Sequence, residues 1–180
     1  PGVVRMLLSS GKKAIGAGAG NPPVIVDETA DIKKAAKDIV DGCTFDNNLP
    51  CIAEKEVFAL REIADELIHH MVKNGCYLLN DRQIKELEDV VLVWTENKKG
   101  QRVRTINKDW VGRDAKKILA QIGVKASDDI RCIICETDFS QAFVQTELMM
   151  PILPIVRVNT FDEAVEMAVK AEHGNRHTAH

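Results

Sequence analysis

Cys51 is the residue in this sequence best placed to do covalent chemistry. It follows Pro50 in Asp41-Gly-Cys-Thr-Phe-Asp-Asn-Asn-Leu-Pro-Cys-Ile-Ala-Glu-Lys55, at the end of a polar loop and the start of a short helical pattern. Proline is favoured at the first helical position, where its missing N–H costs nothing. Cys51 is then expected in the first turn, where free N–H groups and the positive end of the helix dipole favour an anion. A thiol of ordinary pKa about 8.5 gains thiolate roughly tenfold for each unit of depression, so such a position makes a nucleophile. The competing reading is one more buried cysteine, since free cysteine is among the most buried residue types.

Other reactive residues are less pointed. Glu147, in Glu147-Leu-Met-Met-Pro151, is by itself only an acid beside an apolar run, capped or solvated. His177 lies in Glu172-His-Gly-Asn-Arg-His-Thr-Ala-His180, where imidazole, titrating near neutrality, could take a proton from a thiol or could be a plain loop histidine. No Cys, Asp or Glu set stands at ligand spacing around these histidines, and His69-His70 diverge by about 100° on a helix, so no metal site is expected. Cys132-Ile-Ile-Cys135 has CxxC spacing but reads as a buried strand, where it packs rather than reacts. Gly16-Ala-Gly-Ala-Gly20-Asn-Pro-Pro misses the dinucleotide fingerprint, because Asn21 replaces the third glycine and prolines forbid the helix that should follow. Its glycines still let backbone approach a ligand closely.

The segment Phe45-Asp-Asn-Asn-Leu-Pro-Cys-Ile-Ala-Glu-Lys55 resembles the active-site segment of the CoA-acylating aldehyde dehydrogenases, nearest to the propionaldehyde dehydrogenases of bacterial microcompartments. Ala14 to Ile32 upstream and Glu147 to Pro154 downstream are similar to segments of the same family in the same order. The resemblance runs from Pro1 to His180. It implies Cys51 as nucleophile, with Asn47 fixing the loop, and Glu147 as the carboxylate that holds the nicotinamide-side ribose of NAD, although Met149-Met150 replace the Phe-Gly of hydrolytic relatives. The matching Gly/His-Thr segment implies a place for His177 near the catalytic pocket. In hydrolytic relatives a glutamate in the glycine loop activates water. That position falls near Ala17, beside Gly18, and no carboxylate occurs from Gly11 to Val26. Without a titratable base in reach, attack by water on an acyl-enzyme is suppressed, whereas a thiol such as coenzyme A needs less help.

The implied reaction is oxidation of a short aldehyde, propionaldehyde or acetaldehyde, with NAD to acyl-CoA through an acyl-cysteine thioester. An acyl-phosphate reductase of the same superfamily and a non-catalytic module keeping the fold are the alternatives. Family members are more than twice this length. Residues 1–12 are therefore expected at the edge of a cofactor-binding domain and 13–180 as a catalytic domain truncated at both ends, inactive or nearly so alone. A homo-oligomer is expected of the full-length chain, in the cytoplasm and in some cases within a microcompartment shell.

Composition fits these expectations. A net charge of −3 offers no electrostatic case for nucleic acid or an anionic membrane. No apolar run reaches the roughly 18 residues that span a bilayer. An odd cysteine count with no visible signal sequence points to reduced thiols. To position the reactive residues, periodicity predicts helices over Gly2–Ser10, Asp31–Asp41, Ile63–Asn74, Asp81–Val91, Asp114–Ile122 and Phe161–Ala171. Strands are predicted at Lys13–Ile15, Val24–Val26, Val57–Leu60, Arg131–Glu136 and Ile155–Val158, with an exposed polar loop over Trp94–Lys108 whose Lys/Arg cluster, Lys98 to Arg104, is either solvated or turned to CoA phosphates. This alternation implies an α/β fold: a three-layer, Rossmann-like catalytic domain with a mainly parallel sheet.

Overall fold

The computed structural model describes residues 6–15, 20–97 and 100–180. Its centre is a five-stranded sheet built from β1 (Pro23–Val26), β2 (Glu56–Leu60), β3 (Cys76–Leu78), β6 (Cys132–Thr137) and β7 (Ile152–Val158), in the order β1-β2-β7-β6-β3. Every pairing is parallel, with Val24 opposite Val57, Phe58 opposite Val156, Ile133 opposite Ile152 and Cys76 opposite Cys132. Parallel strands buried on both faces read as continuous apolar runs, and Cys132–Ile–Ile–Cys135 and Ile152–Val158 do so.

Helices α1 (Ile32–Thr44) and α2 (Arg61–Lys73) cover one face, packing Ile39, Val40, Leu67 and Met71 on Val57, Cys132 and Ile155. The other face is shared. Helices α3 (Asp81–Val91), α4 (Ala115–Ala120) and the short α5 (Ala142–Gln145) cover the β3–β6 side. Helix α6 (Phe161–Ala171) covers β2 and β7 through Ala164, Ala168 and Ala171 on Phe58 and Val158. Helix starts follow local chemistry: Asp31 accepts from the Lys34 N–H, Asn80 and Gln83 form a reciprocal capping box, and Thr160 accepts from the Glu163 N–H. Helix α2 ends at Gly75, whose φ of +92° only glycine adopts freely.

Several expectations are corrected. Lys13–Ile15 is irregular rather than a strand, and Ile15 is 96% exposed. Of the first expected helix only residues 6–8 are seen helical; residues 1–5 lie outside the described part. The polar stretch after Trp94 is not a loop but an antiparallel hairpin, β4 (Leu92–Glu96) with β5 (Arg102–Ile106). Of the expected basic cluster, Lys98 and Lys99 lie outside the described residues; Arg102 stacks on Trp94, and Arg104 pairs with Glu88 and Asp89. Strand β3 and helix α5 were not anticipated. On α6, Ala164, Ala168 and Ala171 are buried, and Val165 and Val169 face outward.

The CxxC cysteines are core residues on opposite faces of β6, Cys132 with the α1–α2 cluster and Cys135 with the other. Hydrogen bonding with Cys43 and Cys76, together with burial, pushes the Cys132 thiol up. Burial pushes Cys135 up to about 12.

Candidate functional site

No helix follows Pro50. Residues Pro50 to Ala53 form a single turn, closed by the Ala53 N–H on the Pro50 carbonyl at 3.1 Å, and the chain then enters β2. With no helix there, no helix dipole acts on Cys51. What holds Cys51 is the stretch before it. Asp46, Asn47 and Asn48 all have left-handed backbones, with φ of 48°, 51° and 64°. Asn and Asp tolerate this region better than other side chains, which is why Asp-Asn-Asn can make the turn.

Each asparagine is then tied down. Asn47 Nδ2 donates to the Gly112 carbonyl and to Asp114 Oδ1, both at 3.1 Å. Asn48, fully buried, donates to Cys43 Sγ at 3.0 Å and to the Glu54 carbonyl at 2.8 Å. Three strained residues in a row persist only where the surroundings over-determine them, and such strain gathers at functional sites.

Cys51 is half-buried, whereas Cys43, Cys76, Cys132 and Cys135 are buried. Its carbonyl meets Gly20. A β-carbon on Gly20 would lie 3.1 Å from the Cys51 carbonyl oxygen and 3.0 Å from His177 Cγ. Glycine is therefore needed there for close approach, and through it Cys51 and His177 are brought to one place. The His177 N–H donates to Glu172 Oε1 at 3.1 Å, and Nδ1 lies 2.9 Å from Thr178 Oγ1. Nε2 is buried with no hydrogen-bond partner among the described residues. The last residue also braces the turn, as His180 Nε2 lies 2.9 Å from the Ile52 carbonyl and its backbone pairs with Pro23 and Ile25 of β1.

Glu147 joins the same group. Burial pushes its pKa up, opposed by the charge of Lys55, by the nearby Gly20 backbone N–H and by His177. It lines a cleft of about 400 Å³ with Gly20, Asn21, Arg104, His173 and Asn175. Met149, two residues on, has a φ of 55°, and its carbonyl accepts from the Gly112 N–H at 3.0 Å. Gly112 thus ties the Cys51 loop to the Glu147 loop. The structure gathers Cys51, His177 and Glu147 around Gly20; Ala17 and Gly18 lie outside the described residues. A larger cavity of about 660 Å³ is lined by Asn47, Lys116 and Arg131 and not by Cys51 or Glu147.

Sequence reasoning missed Gly20 as the point of contact, Asn48 as a hub and Lys55. Asp-Asn-Asn was the one available signal, because that composition tolerates left-handed backbone. Nothing in the sequence marks Lys55 as buried.

Glu56 opens β2 with its side chain fully buried and both carboxyl oxygens without a hydrogen-bond partner among the described residues. Burial, reinforced by Glu172 and opposed by Lys55, pushes it up to about 9. The folded chain then holds a proton that the unfolded chain releases above its ordinary carboxylate range. Stability from this group is whole below about pH 4.5 and is lost progressively up to about pH 9, on the order of several kcal/mol. Glu56→Gln is expected to gain on the unsubstituted protein as pH rises from 5 to 8, read from thermal midpoints. A gap between the two that does not move with pH would mean Glu56 is ionised in the fold.

Residues 3–179 match the aldehyde dehydrogenase family. Among curated proteins, the chain is 45% identical over 168 residues to acetaldehyde dehydrogenase (acetylating) EutE of Salmonella typhimurium, covering 93% of this chain and 35% of the relative. Among solved structures, it is similar to a propionaldehyde dehydrogenase from the fucose utilisation microcompartment of Clostridium phytofermentans, at a TM-score of 0.87 and 56% identity, over 100% of this chain and 40% of that one. It is equally similar to the Rhodopseudomonas palustris propionaldehyde dehydrogenase with bound CoA and an acylated cysteine, at a TM-score of 0.88 and 52% identity, over 99% of this chain and 39% of that one. The chain spans well under half the length of each of these relatives.

Proposed function

The chain belongs to the aldehyde dehydrogenase family, and from that premise we propose that the protein containing it oxidises a short aldehyde, propionaldehyde or acetaldehyde, to its acyl-CoA thioester. The observation that carries this reading is that one cysteine is left partly open to solvent. Of five cysteines, Cys51 alone is not buried, and it stands on a strained, pinned loop beside His177 and Glu147. A similar solved structure carries an acylated cysteine and CoA.

In this reading the Cys51 thiolate attacks the aldehyde carbon, and the resulting oxyanion is met by the Cys51 backbone N–H and by donors outside this chain. NAD, when bound, supplies the hydride acceptor, and coenzyme A the thiol that takes the acyl group. Hydride loss leaves an acyl-Cys51 thioester; the CoA sulfur then forms the new thioester as the bond to Cys51 breaks, with one proton released overall. His177 is proposed to take the thiol proton, its Nε2 having no other partner among the described residues. Glu147 fits a ribose, since two acceptor oxygens at the edge of an open cleft suit two hydroxyls. Ala17 and Gly18 are proposed as cofactor-binding residues on the family resemblance, and the lack of any carboxylate from Gly11 to Val26 disfavours hydrolysis. Residues 1–12 are proposed as the edge of the cofactor-binding domain and 13–180 as catalytic domain. Assembly as a homo-oligomer and residence in a microcompartment extend the same reading, supported by the origin of the similar Clostridium enzyme.

The test is the full-length protein supplied with propionaldehyde or acetaldehyde and NAD, with and without CoA. Sustained NADH and acyl-CoA formation is expected only with CoA; without it NADH stops at about one equivalent per site, as an acyl-enzyme accumulates. Steady turnover to the free acid without CoA overturns the reading, and a requirement for inorganic phosphate instead would transfer it to acyl-phosphate chemistry.

A further inference from the structure

Lys55 is only 3% exposed, which is exceptional for lysine. Its ammonium donates to the Asn48 carbonyl at 2.9 Å, to the Pro50 carbonyl at 3.1 Å and to Asn48 Oδ1. These three acceptors match the three N–H donors of a charged ammonium. Two of them belong to the left-handed turn, and the third to the residue directly before Cys51.

The charge is also surrounded by the site. Burial pulls the Lys55 pKa down, while Glu147, Cys43, Cys51 and Glu54 push it back up. Glu147 feels the same ammonium in return. Cys43 and Glu54 are already tied to this turn through Asn48. The Lys55 backbone N–H donates to the Pro22 carbonyl at 3.0 Å, so its stem is anchored to the chain beside Gly20.

We propose that Lys55 is the positioning residue of the Cys51 loop: its buried ammonium clamps the carbonyls of Asn48 and Pro50 and presents a fixed positive charge to the sulfur and to Glu147. The proposal rests on Cys51 being the reacting thiol. A lysine used only for packing would fill space without being felt at that sulfur.

Two alkylating reagents separate these roles, because both consume the same thiolate and differ in charge. In the full-length protein, rates at Cys51 are followed by mass spectrometry with anionic iodoacetate and with neutral iodoacetamide. The iodoacetate-to-iodoacetamide rate ratio is expected to fall about fivefold in Lys55→Met, as expected when a nearby positive charge that attracts the anion is removed. Both rates should also fall as the loop loosens. A ratio unchanged within about twofold overturns the proposal, whether or not both rates fall. Where Met costs folding, judged by near-ultraviolet dichroism, Lys55→Gln keeps a donor without the charge. The unsubstituted protein needs no variant: its ratio at Cys51 should exceed that of N-acetylcysteine amide, and a lower or equal ratio also overturns the proposal. Alkylation needs neither aldehyde nor CoA, so failure of the acyl-transfer reading would appear in turnover and leave this ratio standing.

Discussion

Full-length protein carrying Cys51→Ala is expected to lose CoA-dependent NADH formation by roughly 10⁴-fold or more, the scale on which a covalent nucleophile is lost. The loss should fall on turnover and not on cofactor binding, because the cleft lined by Glu147, Gly20, His173 and Asn175 does not include Cys51. Cys76→Ala supplies the contrast. That sulfur is 2% exposed in the core under α1 and α2, so its removal should cost stability and spare turnover in the protein that remains folded. The outcome that sinks the assignment is turnover surviving Cys51→Ala while failing in Cys76→Ala at equal folded concentration. The contrast rests on accessibility: an aldehyde can meet only a sulfur that the fold leaves open.

Asn48→Ala is expected to be the most damaging single change to the fold of the site, at about 3–5 kcal/mol of stability. Three effects combine. Alanine in a left-handed backbone costs about 1–2 kcal/mol, which asparagine partly escapes. Lys55 loses one charged hydrogen bond, a class of interaction contributing about 1.5–3 kcal/mol. The Glu54 carbonyl and Cys43 lose their shared donor in the interior. Asn48→Gly separates the backbone part, since glycine accepts a φ of 64° and should recover about 1 kcal/mol relative to alanine. Urea midpoints at unchanged slope measure these differences. A loss under about 1 kcal/mol for Asn48→Ala would show that the turn stands without its hub. Iodoacetamide should also reach Cys51 more slowly in this variant, linking loop order to the reactivity of the sulfur.

Elements whose signals are local could be read directly. Helices α1, α2, α3 and α6 carry apolar stripes and caps a few residues away, and α3 and α6 begin and end where periodicity places them. The buried strands β2, β6 and β7 were legible as apolar runs, though their order was not. The hairpin β4–β5 was missed for a physical reason. Only Leu92 and Ile106 at its base join the core, while Val93, Trp94, Thr95 and Glu96 are exposed, so this two-stranded ribbon has no continuous buried face to impress an alternating pattern on the sequence.

For the site, the sequence by itself determined the candidate atoms: a cysteine after Asp-Asn-Asn-Leu-Pro, a carboxylate at Glu147, a histidine at His177 and no base in the glycine loop. Family resemblance lay in those same residues. Only tertiary structure decided how they meet. Pro50 starts a turn and not a helix, because the chain is drawn at once into β2 by the Lys55 N–H on the Pro22 carbonyl. The Cys51 carbonyl and the His177 ring both close on Gly20, thirty-one positions before Cys51, because it has no side chain to hold them off. Lys55 and Glu56 are neighbours in sequence and both buried, yet Lys55 finds three acceptors while Glu56 finds no partner among the described residues and is pushed up to about 9. Burial and partnership are properties of the packed chain, set by segments far apart in sequence, and no local pattern of residue types records them.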